Sequence, residues 1–202
     1  MQLALPEDRT GHDWGGRLCF AVVNSVLWRR SATPDDLLTD YQALVRQVDL
    51  AHALPDATGL LDSAAADPAA ARRALVAGVA LREVLFDLFS AVAAGEPAQP
   101  ADLVALNTEL AEALQQLALA DGHRLGWPRN LSLDLPRWQV AVSAAAVLSA
   151  DDPTRIKQCP GERCGWVFLD ASRNRSRRWC EPNECGNRER VRAYYRRSRT
   201  GL

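Results

Sequence analysis

At 202 residues the chain has room for one full domain and a small second one, and an apolar content of 48% supplies a core. No run of eighteen apolar residues occurs, and Glu7, Asp8, Arg9, Asp13 and Arg17 interrupt the stretch where a signal peptide needs an apolar segment, so the chain reads as soluble and cytoplasmic, with no membrane partner. The formal charge of −1 hides two halves of opposite sign, with −9 over residues 1–152 and +8 over residues 153–202.

Such asymmetry points to a basic segment that meets a polyanion or an acidic partner, or else to a merely solvated basic tail. Lys157 is the only lysine among 24 basic residues, and the bias towards arginine and alanine suggests a GC-rich genome. The placement of arginines therefore says more than their number.

In chain order, Leu18 to Trp28 is apolar almost throughout and reads as a buried helix or strand, with Cys19 as a small core residue. Thr33-Pro34-Asp35-Asp36 has the form of a helix start, with Leu37, Tyr41, Leu44 and Val48 following at helical spacing. Asp67-Pro68 opens a second helix, carrying Leu75, Val79, Phe86 and Phe89 and stopped by Gly95-Glu96-Pro97. A third runs from Pro100 to Ala120 with a stripe of Leu103, Leu106, Leu110, Leu114 and Leu117.

Between residues 123 and 135 the period shortens towards two and predicts a β-hairpin, with Leu131 to Leu135 as one strand. Pro136 begins a fourth helix through Trp138, Val142, Ala145 and Leu148, and Asp151-Asp152-Pro153 ends it and marks a boundary. The expected fold is mainly α with small β elements: a helical domain over residues 1–152 and a small second segment over 153–202. His12, His52 and His123 are scattered, Gly15-Gly16 is too short for a phosphate loop, and no nucleophile elbow or Walker pattern occurs, so an enzyme is not expected.

Four of the five cysteines fall in one window, Cys159-x4-Cys164-x15-Cys180-x4-Cys185. In a chain read as intracellular these favour a metal over disulfides, and paired cysteines across turn residues such as Pro160-Gly161 and Pro182-Asn183 suit tetrahedral Zn²⁺. An iron–sulfur cluster would accept the same four thiolates. A closed four-thiolate site has no open position, so one structural zinc is expected, contributing about 10–16 kcal/mol of folding free energy to a segment too small for its own core.

Around these cysteines, Arg177-Arg178-Trp179-Cys180, Cys185-Gly186-Asn187-Arg188, Gly165 to Asp170 and the basic run from Arg190 to Arg197 resemble the CGNR zinc-finger family. The resemblance implies a treble-clef-like finger in which a hairpin knuckle supplies two cysteines and a helix start supplies the last. That family pairs the finger with an N-terminal ABATE domain, associated with stress-induced transcription regulation, and its usual opening is similar to Leu18-Cys19-Phe20-Ala21-Val22-Val23-Asn24-Ser25-Val26-Leu27-Trp28-Arg29. Acids common in the family are replaced here by Ala21 and Leu27, so their roles do not carry over.

A helix beginning near Cys185 places Arg188, Arg192, Arg196 and Arg199 on one side, with Val191, Tyr194 and Tyr195 beside them to pack on the zinc hairpin. Arg173, Arg175, Arg177 and Arg178 add guanidinium groups close to the metal, and this group suits phosphate and guanine edges. The pattern predicts a DNA-binding transcriptional regulator. The alternative is an interaction module whose basic face docks on an acidic partner or on the acidic domain of the same chain. Asn24 and Arg29 read either as an anchor for a small-molecule ligand, or as a backbone cap and a partner for a surface acid.

Overall fold

The computed structural model describes residues 17–50, 54–120, 124–127, 132–150 and 152–200. His12, Gly15-Gly16, His52 and His123 lie outside the described residues. The opening apolar run divides: Leu18–Val23 is helix α1 with Cys19 to Val23 all buried, and Asn24 ends it by donating its N–H to the Phe20 carbonyl at 3.0 Å. Burial pushes the Cys19 thiol up to about 12, which makes it a neutral core group. The chain then extends into β1, Val26–Leu27, paired antiparallel with β2, Asp35–Asp36.

The pairing of β1 with β2 overrides the helix start expected at Thr33. Leu37 N–H is taken by the Ser25 carbonyl and the Asp36 carboxylate by Arg82, so helix α2, Tyr41–Asp49, begins later with Asp40 as its N-cap. A helix absent from the sequence reading, α3 at Ala57–Ala66, is capped by Asp56 and buries only Leu60. The next helix runs as expected: α4, Pro68–Ala94, has Asp67 as N-cap, Pro68 in its first turn and Gly95 at φ +73° as its left-handed terminator. At about 40 Å it is the spine of the fold, and it buries Leu81, Arg82, Leu85, Leu88 and Phe89.

Helix α5, Pro100–Gln116, stops short of Ala120 because Ala118–Ala120 forms β3, which pairs with β4 at Arg124–Gly126. The hairpin therefore uses an earlier strand than expected, and Ser132 to Asp134 is a turn leading into α6, Leu135–Ala150. Of the α5 leucine stripe only Leu106 is fully buried; Leu103 and Leu114 are exposed, and Ala113 faces the core instead. Helix α6 is buried over the whole of residues 135–144 and lies at the centre of the body against α5, α1 and α4. No helix among the described residues is long and apolar enough to cross a membrane.

Past the turn at Pro153–Arg155, strands β5, Ile156–Gln158, and β6, Val167–Leu169, form an antiparallel hairpin laid along α4. Successive residues of β6 point to opposite faces. Val167 and Leu169 join the main core with Ile156, Phe20 and Leu85, while Phe168 packs among the four cysteines. The apolar core thus runs straight through the composition change at residue 153.

Arg82, with 4% of its side chain exposed, grips the Asp36 carboxylate through two hydrogen bonds of 2.6 and 2.8 Å, and also reaches Ser25 and Glu83. The Arg82 hydrogen bonds hold the Asp36 carboxyl below its ordinary value against a smaller opposing effect of burial. Asp36→Asn should therefore destabilise the protein by about 2 kcal/mol, because a buried guanidinium loses its principal counter-charge. A carboxyl lowered on folding stabilises fully above its unfolded value, near pH 4, and less as pH falls through the folded value. The gap between wild type and variant in urea denaturation should accordingly close on acidification; a constant gap would exclude the ion pair as its cause.

Candidate metal centre and its basic surround

The first two thiols come from a knuckle at the end of the β5–β6 hairpin. Cys159 N–H donates to the Trp166 carbonyl at 2.7 Å, and Cys164 N–H to the Gly161 carbonyl at 3.0 Å. Gly165 at φ +77° turns the chain back into β6, and a Cβ on Gly161 would lie 3.2 Å from that of Cys164 and 3.5 Å from the Cys159 sulfur. The other two flank a turn: Cys180 precedes Pro182–Gly186, which contains Cys185 and leads into helix α7, Asn187–Thr200.

All four Sγ atoms are buried and lie within 4.8 Å of one another. Cys180 is 3.6 Å from both Cys164 and Cys185, too far for a disulfide and close to the edge of about 3.8 Å that a tetrahedron with Zn–S bonds of about 2.3 Å requires. Proton sharing among the sulfurs holds Cys159 below, and Cys164 and Cys180 above, the ordinary thiol range. All four become thiolates together only around a cation. The residues fit one structural zinc ion.

Behind the site, Asp170 is fully buried. Burial pushes its carboxyl up, but the Lys157 ammonium at 2.5 Å, the Ser172 hydroxyl and the Ser172 N–H outweigh that and bring it down to about 2. Lys157 also donates to the carbonyls of Arg175 at 2.6 Å and Arg177 at 3.0 Å. Its three N–H groups thus meet three acceptors around a tetrahedral nitrogen, a geometry a planar guanidinium cannot copy. Being the only lysine was the signal that would have found it.

The predicted arginines fall into several environments. Arg173 is exposed, and Arg178 is exposed with its guanidinium 5.1 Å from the Trp179 ring centre. Arg175, at φ +52°, pairs with Asp152 at 2.8 Å. Arg177 turns inward over Phe168 and donates to the carbonyls of Trp179 and Cys180, bracing the knuckle. On α7, Arg188 lies 4.3 Å over the Trp28 ring, Arg192 is held at 2.8 Å by both Glu162 and Glu189, and Arg196 is exposed. Arg199 sits in the last turn of α7, its side chain outside the described residues.

Val191, Tyr194 and Tyr195 do not pack on the zinc hairpin; they are 45%, 62% and 62% exposed. Arg192 instead pairs with Glu162 of the knuckle, and Glu189, Arg192 and Ala193 are the half-buried positions of α7.

Residues 24–30 hold the finger to the helical body. The Asn24 carboxamide donates to the Val167 carbonyl at 2.7 Å and accepts from its N–H at 3.0 Å, while the Trp166 indole donates to the Val26 carbonyl at 2.9 Å. Arg30 N–H bonds to the Arg163 carbonyl, and its guanidinium reaches Gln158 at 2.6 Å as its stem lies against Gly165. Trp28, at φ +53°, lies under Arg163 and Arg188. Asn24 therefore caps backbone, and Arg29 pairs with Glu83 at 2.5 Å over the Phe86 ring, the second of the two roles open to them in the sequence. The parts played by Trp28, Arg30, Lys157 and Asp170 were missed there.

A helical body clamped to a four-thiolate finger defines a zinc-finger protein. Its residues 16–151 match the ABATE family, described as "Putative stress-induced transcription regulator", and residues 155–198 match the CGNR zinc finger. The first match covers more than half the chain, so the protein belongs to the ABATE family and carries a CGNR finger at its C-terminal end. No curated protein matches the sequence.

Elemental analysis should find one zinc per chain, and Cys180→Ser should lose it, with hydrogen exchange rising across residues 159–186 and at the Val167 amide that Asn24 holds. Full zinc content in that variant would refute the ligand set. Lys157→Arg keeps the charge yet should cost about 2 kcal/mol, because buried Asp170 and two carbonyls lose a matching donor; unchanged thermal stability would show the tripod to be incidental.

Proposed function

We propose that this protein is a zinc-dependent DNA-binding transcriptional regulator of the cytoplasm rather than an enzyme, with a treble-clef-like finger as its DNA-contacting part. The observation that carries the reading is the set of exposed arginines, Arg173, Arg178, Arg188, Arg190 and Arg196, gathered around the metal on a segment of charge +8. Guanidinium groups presented at a fixed spacing make charge-assisted contacts with phosphates, and the affinity is largely counterion release. The family's description as a transcription regulator agrees with this.

The second reading, a basic face docked on the chain's own acidic domain, is favoured by the contact of Arg188 with Trp28 and of Arg175 with Asp152. Against it, the junction is made chiefly of apolar packing and of hydrogen bonds from Asn24, Trp166 and Arg30. A small-molecule sensor role for the helical body would not draw on the Asn24 carboxamide, which already serves Val167; Arg29 gives its terminal nitrogens to Glu83 and Val23, and its Nε is buried without a hydrogen-bond partner among the described residues.

The test is a salt titration of the intact zinc-loaded protein against mixed-sequence duplex DNA. Log affinity should fall against log salt with a slope of about −0.9 per phosphate neutralised. Arg173→Ala and Arg190→Ala together should flatten it by about one for each phosphate that the variant no longer neutralises, at unchanged zinc content. No binding at low salt, or a slope indifferent to both substitutions, would leave the interaction module as the better reading.

A further inference from the structure

We infer that the outward ridge of α7, formed by Val191, Tyr194 and Tyr195, enters the major groove of duplex DNA and reads base edges there; this rests on the DNA-binding reading above. The three side chains follow one another at i, i+3 and i+4 and are 45%, 62% and 62% exposed, with the two tyrosine rings edge-on at 5.7 Å. An apolar and aromatic ridge on a helix that otherwise carries arginine is not explained by the fold, since α7 meets the rest of the molecule through other residues, Arg192 on Glu162 of the knuckle and Arg188 on Trp28.

Charge selects the occupant. At 100° per residue, Arg190 and Arg197 lie roughly 100–120° to one side of Val191 and Arg188 roughly 60° to the other, while Arg192 is held on the knuckle side by Glu162 and Glu189. Arginine on both flanks repels a second copy of the same helix. It suits a polyanion with two parallel walls, which a groove bounded by two phosphate backbones provides and a single strand does not. The Arg188 guanidinium lies 4.3 Å over the Trp28 ring, with one nitrogen 3.9 Å from the exposed Glu184 carboxylate, and remains half-exposed to a phosphate.

The dimensions agree, because α7 is 14 residues long, about 21 Å, and a helix fits a groove about 12 Å wide. Valine methyls and tyrosine rings suit thymine methyl groups, and a tyrosine hydroxyl can donate to or accept from a base edge. Ser198 adds no free donor, since its hydroxyl bonds back to the Tyr194 carbonyl at 3.0 Å. The helix is held at its base by Cys185 and by Arg188 on Trp28, so the ridge is presented by a rigid support.

The experiment selects duplexes from a random library with the full-length zinc-loaded protein. It then compares affinities for the selected duplex, a scrambled duplex and the corresponding single strand. Wild type should prefer the selected duplex by at least about tenfold. Tyr194→Ala should abolish most of that preference while leaving zinc content, affinity for scrambled duplex and the salt slope unchanged, and Tyr194→Phe should keep at least part of it. Selection without any preferred sequence, a preference that survives Tyr194→Ala together with Val191→Ala, or tighter binding to the single strand would overturn the inference while leaving DNA binding itself intact. Absence of binding to every DNA would overturn both readings.

Discussion

The β5–β6 hairpin is too short to hold itself together, and it persists because each of its faces is closed by something else. On one side Ile156, Val167 and Leu169 are taken into the core of the helical body; on the other, Phe168 lies among the metal-binding thiols. Three residues per strand give too little pairing for independent stability. Zinc and the body therefore stabilise the same hairpin from opposite sides. Asn24 completes the arrangement by treating Val167 as a neighbouring strand would, with one bond to its carbonyl and one from its N–H. The finger is thus one wall of the helical body, although the charge changes sign at its edge.

Arginine does two kinds of work in this chain, and burial separates them. Arg82 and Arg137 lie inside the body, each with more than one carboxylate: Asp36 and Glu83 for the first, and Glu109, Glu112 and Asp134 for the second. Buried guanidinium is tolerated because its fixed fork is met by carboxylates on adjacent elements, here β2 with α4 and α5 with α6. The arginines around the metal are mostly exposed, and the acids they meet, Asp152 for Arg175, Glu184 for Arg188 and Glu162 and Glu189 for Arg192, lie at the surface or only half-buried. Lys157 stands apart from both groups. Three acceptors converge on one point where a compact ammonium fits, and by drawing in Asp170 and the carbonyls of Arg175 and Arg177 it sets the path of the loop that displays Arg173 and Arg178.

Local signals were legible wherever they were strong and unopposed. Asp67-Pro68 and Gly95 bound α4 as read, because an N-cap, a first-turn proline and a left-handed glycine act within a few residues of themselves. Thr33-Pro34-Asp35-Asp36 carried the same kind of signal and failed. There the acid meant for a first helical turn is claimed by Arg82, forty-six residues away, and strand pairing with Val26 and Leu27 follows. The α5 stripe failed for a related reason. Leucine spacing gives a face, but the small Ala113 lets α6 approach, and that contact decides which face is inside.

The metal ligands were legible because four cysteines at paired spacing leave few other chemistries. The surface around them was less so. Periodicity placed Arg188, Arg192, Arg196 and Arg199 together and Val191, Tyr194 and Tyr195 beside them, and both groupings follow from a regular helix. It does not say how the helix is rotated about its own axis. Apolar residues are ordinarily assigned inward, but here the inward position is held by Arg192, fixed between Glu162 of the knuckle and Glu189 of its own helix, while Arg188 rests on Trp28. A rotation that turned the tyrosines inward would break the Arg192–Glu162 ion pair and the stacking on Trp28, while the adjoining surface is a knuckle already filled by its own cysteines and Trp179. The ion pair across to the knuckle and the contact on Trp28 thus accompany the orientation of α7 that leaves the tyrosines exposed.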